Sequence, residues 1–378
     1  MRWGWVVVGV VCVALGLVAL LQLRAVQTQI VEAFQPAFPD WPEPRVQLAD
    51  GDEGEIFFAS HSPFDFQVLL AGQKGRPTTG QGWLTLPEGA EGPVPAMILL
   101  PGSGGIKPGR EHDYAAFLNQ HGMAAFVVEY YAPRGLADES NYLFRTGSVT
   151  EFDLITDAFG ALQLLSTHPR IDANRIGLMG FSYGGMAARL ALDDRFRRAL
   201  APEHPGFAAH IDVYGPCFQV LGTRETNGAP LLTLRGTEDA SNDLEACATR
   251  ERELRDIGVS VQAVVYEGAG HAWENDAPRR MIEGAPYVEG CEWRYDASGV
   301  PYVDGERLVD YGLEASREER IASRLTSGLR VSHCVKTGYL VGRDEAVRER
   351  AFEDALSFLN ESLRAPAGET RGAEAQRQ

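Results

Sequence analysis

Short apolar runs alternate with segments of helical periodicity along most of the chain. Uninterrupted apolar runs are typical of strands buried on both faces. They occur at 96–100, 123–129, 175–179, 208–214, 230–234 and 261–266. Helices are predicted at 114–120, 151–167, 186–192 and 351–363, and an outer antiparallel strand at 80–87. Strands interleaved with helices imply an α/β fold with a mostly parallel central sheet and helices on both faces.

The N terminus departs from this pattern. Trp3 to Leu23 is an uncharged run of about 21 residues, which is long enough to span a bilayer as a helix. A cleaved signal peptide would have a shorter apolar core and a small residue where Leu23 stands. We therefore expect residues 1–30 to form an uncleaved signal anchor, so that one N-terminal transmembrane helix precedes the α/β fold.

Composition divides the rest of the chain. Residues 31–47 are rich in proline and predict an extended linker. The α/β domain is expected over 48–365, with an insertion at about 275–345 where aromatic residues follow no clear period and lie near the mouth of the site. The polar segment 366–378 is expected to be a disordered tail.

Charge and cysteine content restrict partners and location. The 378-residue chain has a formal net charge of −17, which argues against nucleic acid and anionic membrane surfaces as partners. Four cysteines outside the apolar run form an even set, and we expect bridges between Cys291 and Cys334 and between Cys217 and Cys247. Buried free thiols are the alternative. The prediction is a membrane-anchored protein with an extracytoplasmic domain, periplasmic if bacterial.

A G-x-S-x-G motif centred on Ser182 carries the strongest chemical signal. It lies between the predicted strand at 175–179 and the predicted helix at 186–192. This context is typical of the nucleophile elbow of α/β-hydrolases, where a sharp turn presents the serine hydroxyl above the sheet. Gly180 and Gly184 would let the chain pass through that turn without a Cβ clash.

The partners of such a serine follow it in the chain, with the acid before the histidine. His271 lies in a glycine-containing loop after the predicted strand at 261–266. The other histidines compete poorly, namely His204, His210 and His333. Asp239, in the loop after 230–234, is the predicted acid, and Glu238 and Asp243 are its competitors.

Two backbone N–H groups are needed to stabilise the oxyanion of an acyl-transfer reaction. One is predicted at Tyr183, directly after the nucleophile. The other is predicted in the glycine-rich segment 101–105, with Ser103 as the donor. That segment lacks the lysine and hydroxyl pattern of a phosphate-binding loop. The expected reaction uses no metal and no cofactor.

The chain resembles the dienelactone hydrolase family, a branch of the α/β-hydrolases. The resemblance rests on PGSGG at 101–105, YAPRG at 131–135, and the order Ser182, Asp239, His271. It covers roughly residues 80–275 well and 330–360 more loosely. The resemblance implies hydrolysis of an ester or lactone, and a serine stands where the type enzymes of the family use cysteine.

The resemblance also implies that Tyr130 and Arg134 lie near the substrate mouth. Arg134 could hold a carboxylate of the substrate or brace a loop. We therefore predict a serine hydrolase that cleaves a small-molecule carboxylic ester or lactone through an acyl-enzyme. The alternatives are a peptidase or amidase of the prolyl-peptidase-like type, and a non-catalytic scaffold on the same fold.

Overall fold

The computed structural model describes residues 23–364 except 91, 138, 140 and 329. Its centre is an eight-stranded mixed sheet in the order β1-β2-β4-β3-β5-β6-β8-β9. These strands are β1 Gly54–Ser62, β2 Arg76–Thr85, β3 Val94–Leu100, β4 Ala124–Glu129, β5 Ile171–Phe181, β6 His210–Val213, β8 Leu231–Gly236 and β9 Val261–Tyr266, and the short β7 is Gln219–Val220. Strand β2 pairs antiparallel with both β1 and β4. All the other pairings of this sheet, from β4 to β9, are parallel.

Helices cover both faces of this sheet, as the sequence predicts. The helices are α1 Arg24–Phe34, α2 Phe66–Leu70, α3 Glu111–Gln120, α4 Tyr142–Ser148, α5 Glu151–Leu165, α6 Tyr183–Leu190, α7 Asp194–Leu200, α8 Leu244–Asp256, α9 Arg317–Ser327 and α10 Glu345–Ser362. Short 3-10 turns lie at Ala132–Arg134 and Ser332–Cys334. Within β3, Ile98 packs into the cluster under α5 and α6, whereas Leu99 packs into the cluster under α3 and α10. Successive side chains of a strand point to opposite faces, so both faces require apolar residues.

The fold prediction is wrong about an N-terminal transmembrane helix. No helix in the described residues is long and apolar enough to cross a membrane. The apolar run that suggested one lies outside the described residues except for Leu23. The first described helix, α1, is an 11-residue segment whose Val31 packs with Phe64 and Ile321.

The proline-rich segment lies against the α/β domain. Trp41 packs against Phe57 of β1 with ring centroids 5.2 Å apart, and Arg45 donates its backbone N–H to the carbonyl of Phe57. The predicted tail at 366–378 lies outside the described residues.

The insertion contains regular elements that its sequence did not predict. It comprises β10 Arg280–Val288, β11 Trp293–Tyr295, β12 Pro301–Val303, β13 Glu306–Arg307, helix α9 and β14 Val335–Val341. Strands β10 and β14 form an antiparallel pair, while β11 to β13 join β7 in a second small sheet. The pairing of β11 with β7 attaches the insertion to the segment that follows β6.

Candidate active site

Ser182 occupies the turn between β5 and α6 in a backbone conformation that L-residues rarely adopt, with φ 55° and ψ −118°. Its backbone N–H is fixed by the carbonyl of Val213 at 2.8 Å. The turn tolerates no side chain at the flanking glycines. A Cβ on Gly180 would lie 2.0 Å from the carbonyl oxygen of Gly184, and one on Gly184 would lie 2.3 Å from that of Leu100. Gly180 and Gly184 therefore permit the strained turn that presents the hydroxyl of Ser182.

An unbroken line of hydrogen bonds joins the three predicted catalytic side chains. Nε2 of His271 lies 2.9 Å from Oγ of Ser182, and Nδ1 lies 2.7 Å from Oδ2 of Asp239. Asp239 and His271 are buried, with 2% and 7% of their surfaces exposed. This geometry allows the imidazole to take a proton from the hydroxyl while the carboxylate accepts the N–H on the other side of the ring.

Two neighbours orient Asp239, and the sequence did not single them out. Ser241 donates its backbone N–H and its hydroxyl to Oδ1, and Asn242 donates its amide to Oδ2 at 2.7 Å. The two competitors for the acid lie elsewhere. Glu238 is exposed and pairs with Arg279, while Asp243 caps the N terminus of α8.

The loop that carries His271 is held by the insertion. The backbone N–H of His271 donates to the carbonyl of Leu340 in β14 at 2.7 Å, and Gly342 donates back to the carbonyl of His271. The rings of Tyr214 and Tyr339 lie 4.6 Å and 5.3 Å from the imidazole. The insertion is therefore part of the framework that positions the candidate base.

The glycine-rich segment 101–105 lies beside the nucleophile. A Cβ on Gly102 would be 3.2 Å from Cβ of Ser182, so the backbone approaches the serine closely there. Ser103 and Tyr183 both line the cavity that contains Ser182. The hydroxyl of Tyr131 donates to the carbonyl of Ser103 at 2.9 Å and fixes this segment from below.

Tyr130 and Arg134, which the resemblance places near the substrate mouth, do not line the cavity that contains Ser182. Tyr130 is fully buried and donates its hydroxyl to the carbonyl of Gly102 at 2.7 Å. Arg134 is also fully buried, with its guanidinium bound to the carboxylate of Asp157 at 2.8 Å. Both side chains brace the backbone behind the site, since their polar groups are occupied by protein partners.

A buried carboxylate behind the nucleophile was missed by sequence reasoning. Glu151, the first residue of α5, accepts hydrogen bonds from Tyr183 and Gln219 and lies 3.6 Å from the guanidinium of Arg324. Arg324 also donates to the hydroxyl of Tyr183 at 3.2 Å. These residues come from separate parts of the chain, so no local sequence motif predicts the cluster.

The cavity in front of Ser182 has a volume of about 480 Å³. Its floor is formed by Ser182, Tyr183 and Ser103, and one wall by helix α4. Residues of the insertion form much of the remainder, including Trp293, Leu325 and Tyr339. The insertion therefore covers the site, as its predicted position near the mouth suggests.

The four candidate cysteines form two disulfides, Cys217–Cys247 and Cys291–Cys334. The first joins the segment after β6 to helix α8, and the second spans 43 residues of the insertion. In the described part of the chain, Asp304 and His333 lie close enough to the second pair to resemble a metal-ligand set. Because both sulfurs are bonded to each other, they offer no thiolate to a metal in this state.

The three histidines that compete with His271 for the role of base lie away from Ser182. His210 is buried and its Nδ1 contacts the carbonyl of Ala188, and burial lowers the pKa of its imidazole to about 4. His204 contacts Ser166, and His333 pairs with Asp304 at the surface. None of these residues lines the cavity that contains Ser182.

Comparison with known proteins places this site in a family. Residues 81–297 match the model of the dienelactone hydrolase family. A "Probable 2-oxo-3-(5-oxofuran-2-ylidene)propanoate lactonase" of Bradyrhizobium sp. is 26% identical over 195 residues, which is 48% of this chain and 74% of that protein. The solved structure of a dienelactone hydrolase-like promiscuous phosphotriesterase from metagenomic libraries aligns at a TM-score of 0.46 and 16% identity, covering 82% of this chain and 99% of that one.

A solved structure of esterase 2 from Thermogutta terrifontis aligns at a TM-score of 0.41 and 18% identity, covering 52% of this chain and 80% of that one. The family match itself spans more than half of the chain and includes Ser182, Asp239 and His271. The chain therefore belongs to the dienelactone hydrolase family and is a hydrolase with an α/β-hydrolase fold.

Proposed function

We propose that this chain is a serine hydrolase that cleaves a carboxylic ester or a lactone through an acyl-enzyme on Ser182. The observation that carries the proposal is the hydrogen-bonded line from Ser182 through His271 to Asp239, at 2.9 Å and 2.7 Å. A serine hydroxyl becomes an effective nucleophile when a neighbouring base takes its proton. The family match supports hydrolysis, and the name of the Bradyrhizobium relative supports an acyl compound as substrate.

In the first half of the proposed reaction, Nε2 of His271 takes the proton as Oγ of Ser182 attacks the carbonyl carbon. Asp239 holds the imidazole in the correct tautomer and stabilises the imidazolium without itself taking the proton. The backbone N–H groups of Tyr183 and Ser103 stabilise the negative charge that develops on the carbonyl oxygen. His271 then protonates the leaving alcohol, and the acyl-enzyme remains.

In the second half, His271 removes a proton from water, and the resulting nucleophile attacks the acyl carbon. Collapse of this second tetrahedral intermediate breaks the bond to Oγ, and the proton returns from His271 to Ser182. The products are an acid and an alcohol, which stay within one molecule when the substrate is a lactone.

A panel of p-nitrophenyl esters with matching p-nitroanilides tests this proposal. We expect ester hydrolysis that is lost in Ser182→Ala and retained in Ser166→Ala, a serine outside the cavity. Faster cleavage of the anilides would favour the amidase alternative. The absence of hydrolysis of any substrate by a folded, oxidised chain would favour a non-catalytic scaffold.

We further propose that the α/β domain works in an oxidising compartment outside the cytoplasm. The two disulfides support this location, because such bonds persist mainly in secreted and periplasmic proteins. Cell fractionation combined with non-reducing mass analysis tests it. Fully reduced cysteines in the protein isolated from cells would contradict the location.

A further inference from the structure

The cavity in front of Ser182 has walls built mainly from apolar side chains. Phe218 and Trp293 line one part, with their ring centroids 5.1 Å apart. Leu325 from α9, Val335 from β14 and Leu143 from α4 line the part nearer to solvent. Such a lining binds hydrocarbon groups better than polar ones, because burial removes apolar surface from water.

Three of the apolar side chains that line the cavity are also exposed to solvent and border its opening. Leu143 is 66% exposed, Val335 38% and Leu325 37%. Exposed apolar groups that are contiguous with a cavity mark a binding surface, whereas isolated ones are ordinary. Leu325 also lies directly over Gly147, since a Cβ on that glycine would be 2.4 Å from Cδ2 of the leucine. Because residue 147 is a glycine, the side chain of Leu325 has the space to pack there and form part of the cavity wall.

The charge of the cavity lining also favours a neutral substrate group. Among the described residues that line it, Arg324 is the only one with a charged side chain. Its guanidinium donates to the hydroxyl of Tyr183 and lies 3.6 Å from the carboxylate of Glu151. The positive charge of Arg324 is therefore compensated by the carboxylate of Glu151. The lining offers no uncompensated charge that would favour a charged substrate group over a neutral one.

We propose that the substrate is an ester or lactone that carries a neutral hydrocarbon group, and that this group lies against Leu143, Leu325 and Val335 beneath the insertion. This inference rests on the function proposed above. It makes the insertion the element that determines specificity, with Ser182 and its partners supplying the chemistry. Each methylene that enters such a site raises kcat/KM by about fourfold until the cavity is filled.

A series of p-nitrophenyl esters from acetate to octanoate tests the inference, together with a monoester of adipic acid, which adds a terminal carboxylate to a chain of similar length. We expect kcat/KM to rise by about fourfold per methylene across the shorter members and the carboxylate ester to be slower than its neutral counterpart. A flat or falling series, or a faster carboxylate ester, would overturn it. No hydrolysis and no covalent labelling of Ser182 would overturn the proposed function and this inference with it.

Substitutions of matched size locate the hydrocarbon site. Leu325→Asn and Val335→Thr should each lower the ratio of hexanoate to acetate hydrolysis by roughly 3- to 10-fold, because they keep the number and branching of the side-chain heavy atoms and add polarity. Met281→Gln, at a 52% exposed position of β10 outside the cavity, should leave the ratio unchanged. If Leu325→Asn fails to fold, the more exposed Val335→Thr decides alone. An unchanged ratio in every folded variant would contradict the assignment of this wall.

Discussion

The hydroxyl of Tyr183 donates a hydrogen bond to the carboxylate of Glu151 across 2.5 Å. Tyr183 directly follows Ser182 and begins α6, where we propose that its backbone N–H faces the oxyanion. Arg324 from the insertion donates to the same phenolic oxygen. The residue beside the nucleophile is thus tied to both the central domain and the insertion.

Removing this hydroxyl tests whether the tie matters for catalysis. We expect Tyr183→Phe to lower kcat about 3- to 30-fold with a smaller effect on KM, because a loosened backbone N–H meets the transition state less well. It should also cost about 1–3 kcal/mol of stability, since Glu151 loses a donor. Tyr266→Phe is the matched control, because its hydroxyl donates to Asp354 at 2.7 Å outside the cavity. Equal kcat values in the two variants would contradict the positioning role.

The structure distinguishes the three acidic residues of the 238–243 loop. We expect Asp239→Asn to lower kcat about 10³- to 10⁴-fold, because the amide cannot stabilise the imidazolium and favours the wrong tautomer. Asp243→Asn should leave the rate nearly unchanged, since asparagine caps a helix as well as aspartate does. Glu238→Gln should also have little effect, as its carboxylate faces solvent. If either control proves as damaging as Asp239→Asn, the acid is misassigned while the serine mechanism remains.

Glu274 gives the protein a pH-dependent stability term. Its carboxyl is fully buried and accepts a hydrogen bond from Tyr214 at 2.7 Å, and burial raises its pKa from 4.5 to about 6. The folded state therefore holds this proton more tightly than the unfolded state, so stability falls as the pH rises through that window. Relative to Glu274→Gln, the wild type should lose about 2 kcal/mol between pH 4.5 and 6 and little more above it. Urea unfolding at several pH values measures the difference, and parallel profiles would contradict the assignment.

The disulfide of the insertion should contribute to stability. Cys291 and Cys334 close a loop of 43 residues, and loop-closure entropy predicts a loss of about 3–4 kcal/mol in the Cys291→Ala, Cys334→Ala double variant. Thiol titration of the oxidised, denatured full chain should find one free thiol, at Cys12, among its five cysteines. Five titratable thiols would refute both bridges, and a stability loss below about 1 kcal/mol would refute the stapling role.

Local sequence patterns predicted the centre of the fold well. The apolar runs that became β3, β4 and β8 are buried strands whose composition leaves little choice of structure. The run at 261–266 also forms a strand, but β9 lies at the edge of the sheet and three of its six residues are exposed, so the prediction that both of its faces are buried is wrong. The elbow at Ser182 was equally predictable, because Gly180 and Gly184, both within two residues of the serine, avoid the backbone clashes that a Cβ would cause there. Strand β1 was not predicted. Only one of its faces meets the core, so buried positions alternate with partly or fully exposed ones instead of forming a run that is buried throughout.

Features that depend on long-range contact were not predictable in the same way. Helix α9 packs against α1 and α4, and this packing brings Arg324 to within 3.6 Å of Glu151. Nothing near either residue in the sequence indicates the other. The start of α9 did carry a local signal that was overlooked. Ser316 and Glu319 form a capping box, a pattern that marks a helix N terminus inside an otherwise irregular segment.

Covalent labelling combined with kinetics of the catalytic variants tests the central claim most directly. A fluorophosphonate should add once to the wild-type chain, on the peptide that contains Ser182, and not to Ser182→Ala. Because the serine and the histidine act as a unit, Ser182→Ala and His271→Ala should each remove nearly all ester hydrolysis, and the double variant should be little worse than either. Labelling at another residue, or losses that multiply in the double variant, would contradict the account.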